Sequence, residues 1–215
     1  MDLVNIKRPE NYAAFTLLSS EISLNQEFDE SDLDDREREV LKLLSREQNT
    51  YFSFQGLKRR LGLHQETLTR TLKRLEEAHA IERSPEGYRL RNPSNTFSFD
   101  IRTNEIYAKP LIDAYLPADV DVTVLFQRLR GHWFSNFRWL GYSQDGTQLS
   151  MTWISEDGQM QVQARVGGGK ITIVADSLSR NEEPRRIAAA YQLFDHVTKV
   201  AEEIMQQPTQ PPIEN

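Results

Sequence analysis

Cysteine is absent from the 215-residue chain, which excludes a disulfide framework, a thiolate nucleophile and any zinc site that needs a cysteine ligand. A reducing cytoplasm is the expected location. Long apolar runs are lacking too. No segment approaches the ~20 residues of a membrane span, and no basic stretch followed by an apolar run stands at the N-terminus. A soluble protein without membrane contact is expected. Histidine is scarce: His64, His79, His132 and His196 have no i, i+4 partner and no H-E-x-x-H pattern, so no metal site is expected. Walker sequences, nucleophile elbows, triad spacings and convincing carboxylate pairs are missing as well, which points away from an enzyme and gives no sign of a cofactor.

Positive charge is in short supply overall, with a net charge of −6, but its distribution is uneven. Residues 53–92 carry 9 basic and 5 acidic side chains, giving +4, whereas residues 1–35 carry 2 basic and 9 acidic, giving −7. The only clearly basic segment is therefore one stretch of about forty residues. Screening over about 8 to 10 Å lets such a face act despite acids elsewhere in the chain.

That basic stretch has the order helix, tight turn, helix, β-ribbon. Ser53 is a good N-cap for a helix burying Phe54, Leu57 and Leu61, and Gly62 supplies the positive φ that ends it, with Leu63 plugging the turn. A second helix over residues 65–78 places Leu68, Leu72 and Leu75 at i, i+4 and i+7, one inward stripe. Its other face carries Gln65, Glu66, Thr67, Thr69, Arg70 and Lys73, flanked by Arg74, a mixture of amides, hydroxyls and cations suited to base edges and phosphates. Two short strands, residues 80–83 and 88–91, are joined by Ser84-Pro85-Glu86-Gly87, which has the chemistry of a turn. Upstream, a helix over Asp35–Arg46 turns Val40, Leu43 and Leu44 inward and has Asp34, Asp35 and Glu37 at its start, where the helix dipole favours acids.

Residues 32–91 resemble the winged helix-turn-helix transcription regulators of the MarR, ArsR and Lrp type. The stretch GLHQETLTRTLKRLEEAHAIER carries most of the likeness. His64 departs from it, because a Ser or Thr cap is more usual there. The resemblance implies a regulator that binds double-stranded DNA. The start of the recognition helix would enter the major groove with Gln65, Glu66, Thr67, Thr69 and Arg70, Lys73 and Arg74 would hold phosphates, and Arg83 or Arg89 would reach out from the wing. A homodimer would read half-sites about one helical turn apart. The rival reading is a protein-protein assembly module within a transcription or chromosome-associated complex.

The rest of the chain gives an α+β class. Residues 1–31 are expected to form a helix or arm, with Tyr12, Phe15, Leu18 and Ile22 at near-helical spacing, and an acidic solvated linker follows. The winged helix spans 32–92. A second α+β domain spans 96–205: strand material at 96–106, then a helix over 119–134 with Val122, Leu125, Phe126, Leu129 and Trp133 on one stripe. Strands at 137–143, 147–155, 160–166 and 170–175 form an antiparallel β-meander packed on helices, turning at Asp145-Gly146, Asp157-Gly158 and Gly167-Gly168-Gly169. The glycine triplet is a hairpin turn, not a phosphate loop, since no helix follows it. A helix over 184–205 puts Ile187, Tyr191, Phe194, Val197, Val200, Ala201 and Ile204 on one side, and residues 206–215 form a disordered tail. If one sheet face is solvated, Leu149, Met151 and Trp153 point inward and Ser150 and Thr152 outward. The dense aromatic set around Trp139 and Trp153 is read as core before ligand pocket. In element order this domain resembles a helix-grip or TATA-binding-protein-like half. Dimerisation, sensing of a small-molecule effector, or both are its expected roles.

Overall fold

The computed structural model describes residues 32–47, 49–91, 109–177 and 182–206. Helix α1 (Asp35–Arg46) begins at a capping box. The Asp34 carboxylate accepts the backbone N–H groups of Arg36 and Glu37 at 2.8 Å, and the Glu37 carboxylate accepts that of Asp34 at 2.9 Å. After a short strand β1 (Thr50–Phe52) comes α2 (Phe54–Leu61), capped by Ser53 Oγ, which accepts from Gly56 N–H at 3.0 Å. Gly62 closes it at φ 63°. Helix α3 (Gln65–Glu77) buries Leu68, Leu72 and Leu75, and the hairpin β2 (Ile81–Ser84) and β3 (Gly87–Leu90) completes a winged helix. The cap, turn and apolar stripe read from the sequence all stand in place.

The second half follows as β4 (Ile112–Tyr115), α4 (Val122–Leu129), β5 (Phe137–Asp145), β6 (Gln148–Ser155), β7 (Met160–Gly167), β8 (Lys170–Ser177) and α5 (Glu183–Gln206). The architecture is α+β, a winged helix followed by an antiparallel meander with a C-terminal helix. The expected strands at 96–106, the N-terminal arm and the tail from 207 onward lie outside the described residues, while Gln206 still belongs to α5.

One sheet unites the chain. Its order is β2-β3-β1-β5-β6-β7-β8-β4, so the wing and the meander are halves of a single eight-stranded surface. The seam is the antiparallel pairing of β1 with β5, registering Thr50 with Ser143, Tyr51 with Tyr142 and Phe52 with Gly141. Because side chains alternate across a strand, the two faces separate two cores. One face gathers Phe52, Leu140 and Ile154 with the apolar sides of α1, α2 and α3. The other gathers Trp139, Met151, Trp153, Val162 and Ile173 with α4 and α5. Thr152, expected to be outward, is 2% exposed, because α2 packs over β5 and β6 from the opposite side.

Two helices differ from expectation. Helix α4 has 8 residues instead of the sixteen or so read from the stripe. Arg130 leaves helical geometry at ψ 125°, and Gly131 (φ 75°) and Ser135 (φ 46°) turn the chain so that the His132 carbonyl accepts Trp153 Nε1–H at 2.9 Å. Trp133 is consequently outside the core, 64% exposed, with the Arg138 guanidinium 4.0 Å from its ring centre. On α5, Ile187 and Tyr191 are exposed on a flank of the helix while Ala189, Leu193, Val197 and Ala201 make the buried stripe.

His196 gives this core a pH dependence. Its ring stacks on Phe134 at 5.2 Å and its Nε2 is buried with no partner among the described residues. Burial, then the nearby His132, pushes its pKa below the usual histidine value against the opposing charges of Asp195 and Glu203. A histidine depressed in the folded state contributes its full stability above the unfolded value of about 6.5 and loses it as pH falls. The melting temperature is expected to drop between about pH 7.5 and pH 5.5, and part of the drop should vanish in His196→Phe. An identical drop in both proteins would refute the assignment.

Candidate nucleic-acid interface

Burial of Leu68, Leu72 and Leu75 leaves the opposite side of α3 in solvent. Gln65, Glu66, Thr69, Arg70, Lys73 and Arg74 are exposed and Thr67 is half-buried. The helix starts at His64, whose side chain makes no capping bond, unlike the caps at Asp34 and Ser53. Free N–H groups at the start of a helix and its positive dipole end favour an anion. Along the exposed face the side chains differ in commitment. Thr69 Oγ1 donates to the Gln65 carbonyl at 2.8 Å. Lys73 lies 3.6 Å from Glu77 with both side chains largely exposed, a pair worth a few tenths of a kcal/mol and readily exchanged for a phosphate (~0.3–0.5 kcal/mol for such i, i+4 pairs). Arg70 has neither kind of tie among the described residues.

Arg74 is engaged in the scaffold. Its guanidinium reaches Asp34 at 3.3 Å and Glu37 at 3.7 Å, tying α3 to the capped start of α1. The wing arginines also part company. In the β2–β3 ladder Arg83 registers with Tyr88 and Glu82 with Arg89, so the two arginines occupy opposite faces. Arg83 is exposed on the helix side, 5.8 Å from the Tyr88 ring centre. Arg89 lies on the far side, ion-paired with Glu82 and 4.6 Å over the Tyr51 ring. The structure therefore groups Arg83 with the helical layer and separates Arg89 from it.

Arg89 belongs to a row that crosses the seam. Tyr51 stacks on Tyr142 at 5.4 Å, and Arg130, at the end of α4, lies 5.6 Å from the Tyr142 ring and 3.6 Å from Glu86 at the wing's turn. Burial pushes the Tyr142 hydroxyl pKa up, against the charge of Arg130. Cation and ring alternate from wing to meander, with contacts of about 0.5–1 kcal/mol at exposed sites. Arg130→Ala should release the turn, giving faster amide hydrogen exchange in β2 and β3 with little change in global melting. Unaltered exchange there would show that the row does not restrain the wing.

Sequence reasoning passed over Lys58, Arg59 and Arg60 in the last turn of α2. Consecutive residues on a helix point in different directions, and each is half-buried. Arg60 acts on Glu47, whose carboxyl burial holds above its ordinary pKa and which Gln161 of β7 contacts at 3.4 Å. The remaining wing-side cation, Arg91, has Nη1 2.7 Å from His79 Nδ1. Among the described residues no cluster of His, Asp and Glu is arranged to hold a metal, and no helix is long and apolar enough to cross a membrane.

Residues 33–86 match the MarR family, and this segment is a MarR-family winged-helix domain. The match stops within the wing and leaves β3 and the meander unassigned. No curated protein and no solved structure matches the chain.

Proposed function

From the MarR-family domain at residues 33–86, we propose that the chain is a transcription regulator that reads double-stranded DNA as a homodimer and is not an enzyme. The observation that carries this reading is the two-sidedness of α3. A stripe of three buried leucines fixes the helix on its scaffold, and Gln65, Glu66, Thr67, Thr69, Arg70 and Lys73 are left on the outer side. Amides and Arg70 suit base edges in the major groove, while Lys73 and the uncapped start of the helix suit phosphates. Arg83 is placed to extend the footprint, and Arg74 and Arg89 support it from within. The C-terminal lobe dimerises the chain, senses an effector, or both.

Fluorescence anisotropy with mixed-sequence duplex DNA at two salt concentrations tests the reading. Each phosphate contact should lower the log-log slope against salt by about 0.9. Absence of binding at low salt would overturn it. A second reading, a protein-protein assembly module, draws support from the internal pairing of Arg74 and Arg89, which leaves the wing and helix with few uncommitted cations. It predicts a partner complex that persists at high salt.

A further inference from the structure

We infer that the cleft between the N-terminal half of α5 and the β6–β7 turn binds a small primary amine carrying a short apolar body, and that occupancy acts on α2. The inference rests on the reading above that the C-terminal lobe senses an effector, and it names the site and the ligand class.

The cleft has a volume of about 360 Å³, within the usual range of small-molecule sites (about 300–1,000 Å³). Its walls differ in chemistry. Phe137 and Met160 supply an apolar side, and Asp157, Glu182, Asn136 and Gln192 are among the polar residues that line the cleft. Glu182 is already served, accepting from Ser177 Oγ at 2.7 Å and from Arg185 at 2.9 Å. In Asp157 one oxygen, Oδ1, takes Ser155 Oγ–H at 2.5 Å and Gln159 N–H at 3.0 Å, and the carboxylate remains exposed to the cleft. The bond from Ser155, then that from Gln159, with smaller help from its own backbone N–H and the charge of Arg185, hold the Asp157 carboxyl below its ordinary pKa, so it is ionised at neutral pH. The side chains of Asn136 and Gln192 make no hydrogen bond to another described residue. Among the described lining residues, Asp157 and Glu182 against Arg185 leave one net negative charge, which favours an ammonium group over a carboxylate. The three hydrogens of a primary ammonium match the Asp157 oxygen and the two amide oxygens.

The turn that bears Asp157 also touches the DNA-binding half. Gly158 sits at φ 73°, and a Cβ placed there would lie 3.1 Å from the Arg59 carbonyl in the last turn of α2. Helix α2 ends three residues later at Gly62 and passes directly into the start of α3. A ligand drawn onto Asp157 thus loads a backbone turn that rests on the recognition motif from the opposite face of the sheet.

Saturation-transfer difference NMR on the full chain, with phenethylamine and phenylacetate as probes of one shape and opposite charge, tests the site. Phenethylamine is expected to show transfer and phenylacetate none. Asp157→Asn retains the acceptor for Ser155 but loses the charge, and should weaken the amine about tenfold. Gln192→Ala, which leaves the turn untouched, should weaken it less. Equal signals from the two probes, no signal from the amine, or an amine indifferent to both substitutions would overturn the site. Coupling is read separately as a change of about fivefold or more in duplex affinity with the amine present; binding of amine and duplex without mutual effect would overturn the action on α2. Should the duplex fail to bind at all, the DNA reading falls, and the cleft is judged on the NMR result alone.

Discussion

Gly141→Ala is expected to destabilise the protein by about 3 kcal/mol, a drop in melting temperature of roughly 10 °C for a chain of this size. Gly141 stands on β5 opposite Phe52 of β1, beside the irregularity between Trp139 and Gly141. A Cβ at this position would run into the Tyr51 carbonyl, with Phe52 Cα 3.1 Å away. Both obstacles are backbone, so no side chain can rotate aside. The same seam is closed from the helix layer by Gly56, whose added Cβ would lie 2.6 Å from the Leu140 carbonyl. Glycine is required here by close approach, and its φ is unexceptional. Gly146→Ala provides the contrast: it has φ 54° but open space around it, so only backbone strain of about 1 kcal/mol is expected. Thermal denaturation of the two variants distinguishes the cases. If Gly141→Ala melts with the parent, β1 and β5 are not joined in solution.

The winged helix was legible because its signals are local. Ser53 caps within three residues, Gly62 turns the chain at one position, and the leucine stripe of α3 repeats within a single helix. The sheet seam was not legible. Strand β1 has only three residues, Thr50–Phe52, too few to show an alternation, and it owes its extended form to partners at 88 and 141–143. Without β1 the sequence offers no reason for Thr152 to be buried or for the wing to continue into the meander. Strand β4 fails the same way, being four residues long and held by β8. The overextended helix at 119–134 had another cause: Trp133 falls at helical spacing from Leu129, and periodicity does not register that Arg130 and Gly131 have already turned the chain. The expected order of helix, four strands and helix is present, and the strand that precedes it, β4, was not among those read from the sequence and lies beside β8. Element order alone carries no function. Of the interface, the exposed side of α3 could be read from its period. The side on which each wing arginine falls could not, because it depends on the pairing of Glu82 with Arg89 across the ladder.

That distinction among arginines yields the sharpest functional expectation. Arg70→Ala should weaken binding to the cognate duplex by about 1–3 kcal/mol, roughly 5- to 150-fold, with little effect on melting. Arg70 is exposed on α3 and ties to no other described side chain. Arg74→Ala should do the reverse. Its partners are the N-cap of α1 and Glu37, whose side chain is 9% exposed, so removing the guanidinium leaves a nearly buried carboxylate with the Asp34 N–H but no countercharge and costs stability. Because Arg74 is itself 63% exposed, solvent screening limits that cost to about 1 kcal/mol. Urea denaturation and anisotropy on the two variants together form a cross-over, one losing affinity and the other losing stability. Phosphate contact by Arg70 would also reduce the salt slope by about 1, whereas contact with a guanine edge would weaken the cognate sequence selectively. Unchanged affinity of Arg70→Ala for every sequence tried would remove α3 from the DNA interface and favour the assembly reading. Lost affinity with unchanged stability in Arg74→Ala would instead mean that this guanidinium leaves Asp34 for a phosphate when DNA arrives.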